Sequence, residues 1–176
     1  PVTTPDELIP SGETSSYRSN PLPLAEFTLS PMNPAYVGRA KAVKAMDEAR
    51  KAGSLPAEVQ AVYDALAKAG VQADGAAANI GSAVFAVKPG DGSAREQAAS
   101  CQRVLGGAAN FACEYATKRY RSNCINWGML PFLVEDPDAL AQDSYVFVPG
   151  VRRALLEAAD AMTGYVVGAD GSVTPV

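Results

Sequence analysis

The chain predicts a mixed α/β fold, because short β-rich runs alternate with segments of helical period from residue 56 to the C-terminus. Its 176 residues suit one domain, able to bury roughly 70% of its unfolded surface. Apolar residues make up 48% and charged residues 19%, the balance of a folded globular domain and not of a disordered chain. One domain over residues 1–176 is therefore expected.

Residues 1–33 are rich in Pro, Ser and Thr, and the four prolines between Thr3 and Leu24 (Pro5, Pro10, Pro21 and Pro23) forbid a long helix and most central-strand pairing. Leu8, Ile9, Leu22, Leu24 and Phe27 favour a segment that packs rather than a free tail. Residues 34–52 open with Pro34 and are followed by Gly53, the punctuation of a helix, with a weak stripe of Val37, Ala40, Val43 and Met46. Residues 56–69 repeat that grammar with a clearer face of Val59, Val62, Tyr63 and Leu66 before Gly70. The run from Ser82 to Val87 reads as a buried strand. After a Gly-rich turn, Arg95 to Leu105 reads as a helix closed by Gly106 and Gly107. Residues 108–116 are ambiguous: a short buried strand turning into a helical stretch that reaches Arg121. Residues 128–135 and 145–149 are strand candidates. Residues 151–162 read as an amphipathic helix with Leu155, Leu156 and Ala159 inward. The chain ends in a hairpin around Asp170 and Gly171.

The net charge is −4 with no long basic block, which argues against nucleic acid and anionic membrane as partners. No apolar run approaches the ~20 residues of a membrane span, and no signal-type segment is visible, so a cytoplasmic location is expected. Cys101, Cys113 and Cys124 are odd in number and form no C-x-x-C pair, a poor disulfide or metal framework; buried reduced thiols are expected. Histidine is absent. Ser-His-Asp and Cys-His nucleophiles and HExxH metal sites are therefore excluded within this chain, leaving carboxylates, Ser, Tyr, Lys, Arg and backbone dipoles.

The turn from Pro89 to Ser100, "PGDGSAREQAAS", carries the most chemistry per residue. Gly90 and Gly92 let the backbone take positive φ or approach a neighbour closely. Ser93 is placed to cap the helix that begins near Ala94 or Arg95. The first amides of that helix, with their partial positive charge, favour an anion such as a carboxylate, on which Arg95 can close as a two-pronged fork. The plain alternative is a capped strand-to-helix turn, with Arg95 in a surface salt bridge.

Three segments in order along the chain, Val2 to Gly12, Gly92 to Ala99 and Arg121 to Pro131, together resemble the aconitase superfamily. Gly92-Ser93-Ala94-Arg95-Glu96-Gln97-Ala98-Ala99 is similar to the family's GSSREHAA segment. Val2-Thr3-Thr4-Pro5-Asp6 through Ile9-Pro10-Ser11-Gly12 resembles its TTDHISPAG segment, and Arg18 stands six residues after that glycine, where the family commonly has a substrate arginine. Arg121-Ser122-Asn123-Cys124-Ile125-Asn126-Trp127-Gly128-Met129-Leu130-Pro131 resembles its RxNxxxxGxLP segment. The matches run in family order to about residue 134, and the last forty residues match only loosely. The chain resembles the C-terminal swivel domain, the mixed-sheet β/β/α fourth domain, in the variant of the aconitase-like hydratases. The runner-up is the free-standing small subunit of isopropylmalate isomerase.

The resemblance implies a hydro-lyase acting on a hydroxy di- or tricarboxylic acid. Ser93 matches the serine base that removes a proton beside a substrate carboxylate. Arg18 and Arg95 match arginines that grip substrate carboxylates, and Ala94 stands in the substrate-binding set where the family has a second serine. A serine is a weak base at its ordinary pKa and needs amides, a helix N-terminus and guanidinium charge around it. The implied cofactor is a [4Fe–4S] cluster held by the other three domains, in the same chain or in a large subunit, and none is expected in this chain. The chain opens inside the first motif, so a C-terminal fragment of a longer hydratase, inactive by itself, is expected. Gln97 replaces a family histidine, and Thr-Thr-Pro-Asp replaces Thr-Thr-Asp-His. The rival from another class is a non-catalytic module that holds a carboxylate or a partner. Arg121 and Asn123 read as structural, Trp127 as packing, and Lys88 as a solvated cation.

Overall fold

The computed structural model describes residues 2–10, 12 and 14–176; Ser11 of the first motif and Pro1 lie outside the described residues. In chain order the elements are β1 (Val2–Thr3), α1 (Pro5–Leu8), α2 (Pro21–Ala25), α3 (Tyr36–Lys51), α4 (Ala57–Lys68), β2 (Ser82–Phe85), β3 (Lys88–Pro89), α5 (Arg95–Val104), β4 (Gly107–Ala112), α6 (Lys118–Asn126), β5 (Leu130–Leu133), β6 (Tyr145–Phe147), α7 (Val151–Leu156), β7 (Tyr165–Val167) and β8 (Val173–Pro175). The fold is mixed α/β with parallel and antiparallel sheets. By its contacts the chain divides into two compact units, Pro1–Glu48 with Ile80–Pro137 and Ala49–Asn79 with Asp138–Val176.

In the first unit, β2, β4 and β5 form a parallel sheet in that order, with Phe85 opposite Phe111 and Phe111 opposite Phe132. The crossovers are helical, α5 from β2 towards β4 and α6 from β4 to β5, as parallel pairing requires. A second parallel pair joins β1 to β3, with Val2 opposite Lys88 and Thr3 opposite Pro89. The core lies between α5, α6 and the N-terminal segment: Leu8, Ile9, Leu24, Ala98, Ala99, Cys101, Tyr120, Cys124 and Met129 are each at most 1% exposed.

The proline-rich N-terminus packs, as its apolar residues predict, and it does so as short helices. Thr4 caps α1 by accepting from the Glu7 amide, and Glu7 Oε2 accepts from the Thr4 amide at 2.6 Å. Pro5 takes the first helical position, where its missing N–H is no loss. Leu8, Ile9 and Leu24 are buried, whereas Leu22 and Phe27 are exposed.

The ambiguous stretch after Gly107 resolves into a strand, a turn and a separate helix. β4 ends at Ala112, and α6 starts only at Lys118, where Thr117 accepts from the Tyr120 amide. The helix then runs beyond Arg121 through the third motif to Asn126.

In the second unit, β6, β7 and β8 form an antiparallel sheet. The C-terminal hairpin forms as expected, with Gly171 at φ +79°. Tyr63 of α4 meets Phe147 edge to face at 6.5 Å, and Tyr145 donates to Glu58 Oε1 at 2.5 Å.

Helix 151–162 is corrected. It ends at Leu156, and Leu155 and Leu156 are 65% and 79% exposed, with Ala159 exposed as well. The stop is a Schellman turn: Ala158 N–H donates to Leu155 and Ala159 N–H to the Ala154 carbonyl, with Ala158 at φ +51°. The helical period carries no information about this stop, because alanine occupies the left-handed position where α4 has Gly70. Replacing Ala158 with glycine should relieve that strain and stabilise the chain by about 0.5–1 kcal/mol, read as a higher denaturation midpoint; an unchanged or lower midpoint would contradict the assigned turn.

Candidate active site

The site is assembled on one residue, Gly90, immediately after β3. Its amide donates to Thr3 O at 2.9 Å, and its carbonyl accepts from Thr117 Oγ1 at 3.0 Å and from Arg95 Nε at 3.3 Å. The residue sits at φ +101°, and a Cβ there would lie 2.5 Å from the Cβ of Tyr120. Gly92, at φ +154°, would meet the Pro5 ring at 2.7 Å. Both glycines are thus required twice, by backbone conformation and by close approach. Through these contacts the first segment (Thr3, Pro5), the turn (Gly90, Gly92) and the helix of the third segment (Tyr120) pack together.

The predicted site residues fall on different sides of this knot. Ser93 is exposed, and it does not cap α5: the N-cap is Ala94, at φ −82° and ψ 34°, with no side-chain bond. The helix starts one residue later than the cap reading requires, so the Ser93 hydroxyl is left outside it. The first intrahelical bond runs from Ala98 N–H to Ala94 O, leaving the amides of residues 95–97 without intrahelical acceptors beside Ser93. Arg95 is half-buried and held through Nε, so its two terminal nitrogens remain to face a ligand. Ala94 is 5% exposed and belongs to the core cluster with Leu8, Ala98 and Tyr120.

Arg18 is exposed, one residue past the 3-10 turn over Ser15–Tyr17. The helices α1 and α2 flanking its segment both pack on α5, the helix that Arg95 opens. Among the described residues no hydrogen bond joins Arg18 to Ser93 or Arg95. Lys88 pairs with Glu114 at 2.9 Å rather than standing alone. Trp127 does more than pack: its Nε1 donates to Glu96 Oε1 at 3.1 Å, tying α6 to the first turn of α5.

Beneath the turn lies a buried polar cluster that sequence patterning does not reveal. Tyr120 Oη accepts from Gln102 Nε2 at 3.3 Å and Asn110 Nδ2 at 3.1 Å, and Asn110 Nδ2 also reaches Cys124 Sγ at 3.4 Å. Tyr115 donates to the carbonyls of Asn110 and Phe132. Burial holds the Tyr120 phenol well above its ordinary pKa, with the neighbouring Cys124 adding to the shift, so it stays protonated. One signal for part of this arrangement was in the sequence: threonine immediately before Lys118 is a helix-cap residue.

The thiols are poor metal ligands as they stand. Burial pushes Cys101 up to about 12 and also raises Cys124, against the lowering effect of the Asn110 hydrogen bond. Among the described residues no group of three or more His, Cys, Asp or Glu side chains is placed to hold a metal ion. No helix of the described residues is long and apolar enough to cross a membrane.

No protein-family model matches the sequence, and no curated protein is significantly similar to it.

Three outcomes follow from burial. Ala94→Ser should destabilise the chain by about 1–3 kcal/mol, because the added hydroxyl enters an apolar core; a melting point at or above wild type would contradict the placement of residue 94. Under native conditions at pH 8, iodoacetamide should modify Cys113, which is half-buried, while Cys101 and Cys124, both 0% exposed, react only after unfolding. Mass mapping of the alkylated chain reads this, and equal labelling of all three would overturn it. The same burial makes stability fall as pH rises above about 9, because the unfolded chain then releases the Cys101 proton that the folded chain retains.

Proposed function

We propose that the chain is the swivel-type domain of an aconitase-like hydro-lyase, presenting Ser93, Arg95 and Arg18 to a small hydroxy di- or tricarboxylic acid. The observation that carries this reading is the packing of three distant segments around Gly90. The segments that resemble three motifs of that family in order, Val2 to Gly12, Gly92 to Ala99 and Arg121 to Pro131, are joined by contacts in and beside them. The Pro5–Gly92 contact links the first two directly, and Gly90 and Tyr120, which stand just before the second and third, meet each other and, through the Thr3–Gly90 bond, the first.

In this reading Arg95 holds one substrate carboxylate through its terminal nitrogens, and Arg18 approaches another from the segment preceding α2. The Ser93 oxygen takes the proton from the carbon next to a carboxylate, its developing charge stabilised by the free amides that open α5 and by the Arg95 guanidinium. The basic first turn of α6, with Lys118, Arg119 and Arg121, adds positive potential behind the Gly90 carbonyl. A [4Fe–4S] cluster belongs to the remaining domains of such an enzyme, in the same chain or in a large subunit. The buried, protonated thiols of Cys101 and Cys124 do not fit it. Ala94, sealed in the core, takes no direct part; a substrate contact made elsewhere by a second serine hydroxyl is absent.

A specific observation favours a second reading. Among the described residues no hydrogen bond orients the Ser93 hydroxyl, as a carboxylate-holding module without catalysis would allow. The two readings separate on Ser93→Ala in the protein assembled with its cluster-bearing domains. For a base, dehydration of a panel of hydroxy di- and tricarboxylates should slow by roughly 10²–10⁴ with little change in KM. An unchanged rate would leave the binding module as the surviving reading.

A further inference from the structure

We infer that Thr117 is a positioning residue, setting the direction in which Arg95 presents its guanidinium; this rests on the reading of Arg95 as a carboxylate ligand and assigns a residue that reading does not use. A threonine hydroxyl has one proton and two lone pairs. Thr117 Oγ1 accepts from the Tyr120 amide at 3.2 Å, capping α6, and donates its proton to Gly90 O at 3.0 Å. The second site on that same carbonyl is taken by Arg95 Nε at 3.3 Å. One hydroxyl therefore joins the start of α6 to the acceptor that holds the arginine.

Gly90 is held on both sides of its Cα. Its amide, part of the preceding peptide, donates to Thr3 O at 2.9 Å, its carbonyl, part of the following one, is held by the two donors just named, and Tyr120 stands where a side chain at residue 90 would be. Tyr120 is itself 1% exposed and anchored through its phenol oxygen to Gln102 and Asn110. With Nε committed to the backbone, Arg95 meets a ligand end-on through its two terminal nitrogens, in the plane that the Gly90 carbonyl dictates. That geometry selects a planar two-oxygen anion over a single-point acceptor. Thr117 thus fixes the orientation of the fork without touching the ligand.

The test uses the full chain, ¹⁵N-labelled, with tricarballylate as the probe. Thr117→Val removes both bonds. Thr117→Asp keeps an acceptor for the Tyr120 amide and so preserves the cap, but has no proton to donate to Gly90 at neutral pH. Thr117→Ser keeps both functions. The Arg95 Nε–Hε resonance should move and exchange faster with water in the Val and Asp variants, and match wild type in the Ser variant. Tricarballylate should bind the first two roughly fivefold more weakly, and the Ser variant as wild type. An Arg95 signal unchanged in both Val and Asp variants overturns the inference, as does weakened binding in Arg95→Ala with normal binding in those variants. Wild-type binding by Arg95→Ala, or no binding by the wild-type chain, sinks the carboxylate reading instead and leaves the resonance result to decide the role of Thr117.

Discussion

The backbone hydrogen bonding of a single residue, Gly90, is the constraint on which the candidate site depends. Three partners converge on it from three parts of the chain: Thr3 from the N-terminus, Arg95 from the next helix, and Thr117 from the cap of α6. The bonds to Thr3 and Thr117 are modest, about 1 kcal/mol net each, and that from the charged Arg95 about 1.5–3 kcal/mol. Their joint effect comes from geometry, since the carbonyl has only two acceptor directions and both are taken. Tyr120 closes the remaining side, so a residue with a side chain at position 90 would displace buried structure.

Tyr120 also links this turn to the interior. Its ring packs at Gly90, and its phenol oxygen sits in the cluster of Gln102, Asn110 and Cys124. The side-chain oxygens Gln102 Oε1 and Asn110 Oδ1 have no partner among the described residues. A polar cluster with unmatched acceptors is less stabilising than an apolar one of the same shape. What it adds is directionality, because a hydrogen-bonded phenol has fewer alternative positions than a leucine. The turn that carries Ser93 and Arg95 is consequently backed by a group with one preferred place.

Much of the fold was legible in residue order. Helices that open with proline and close with glycine are read from local chemistry, and 56–69 needed only small adjustment at its ends to become Ala57–Lys68. The closure of α5 at Gly106 was legible for the same reason, and so was a strand at Ser82, although it ends at Phe85 rather than Val87 and is half-buried to exposed rather than buried. Three features were not. The end of α7 was hidden because an alanine, not a glycine, takes the left-handed turn, and the apolar period runs on past it. The cap of α5 was not legible, because a serine before a helix suggests a cap, while the helix opens one residue later, at Ala94, with no side-chain cap. The Thr117–Gly90–Arg95 connection was invisible because its members lie 27 and 5 residues from Gly90, and nothing local ties a threonine at one helix start to an arginine at another.

The sequence by itself determined the α/β class, the helix boundaries marked by Pro and Gly, the exclusion of histidine chemistry, and the identity of the residues able to meet a carboxylate. These are properties of residue type and spacing, which short-range sterics and capping impose before any tertiary contact forms. Only the tertiary structure decided which of them share a site. It buried Ala94, left Ser93 in solvent, and drew Thr3, Arg95 and Thr117 to one carbonyl. The physical reason is that hydrogen-bond acceptors and excluded volume are resources shared in space, and their allocation between distant residues is settled by packing.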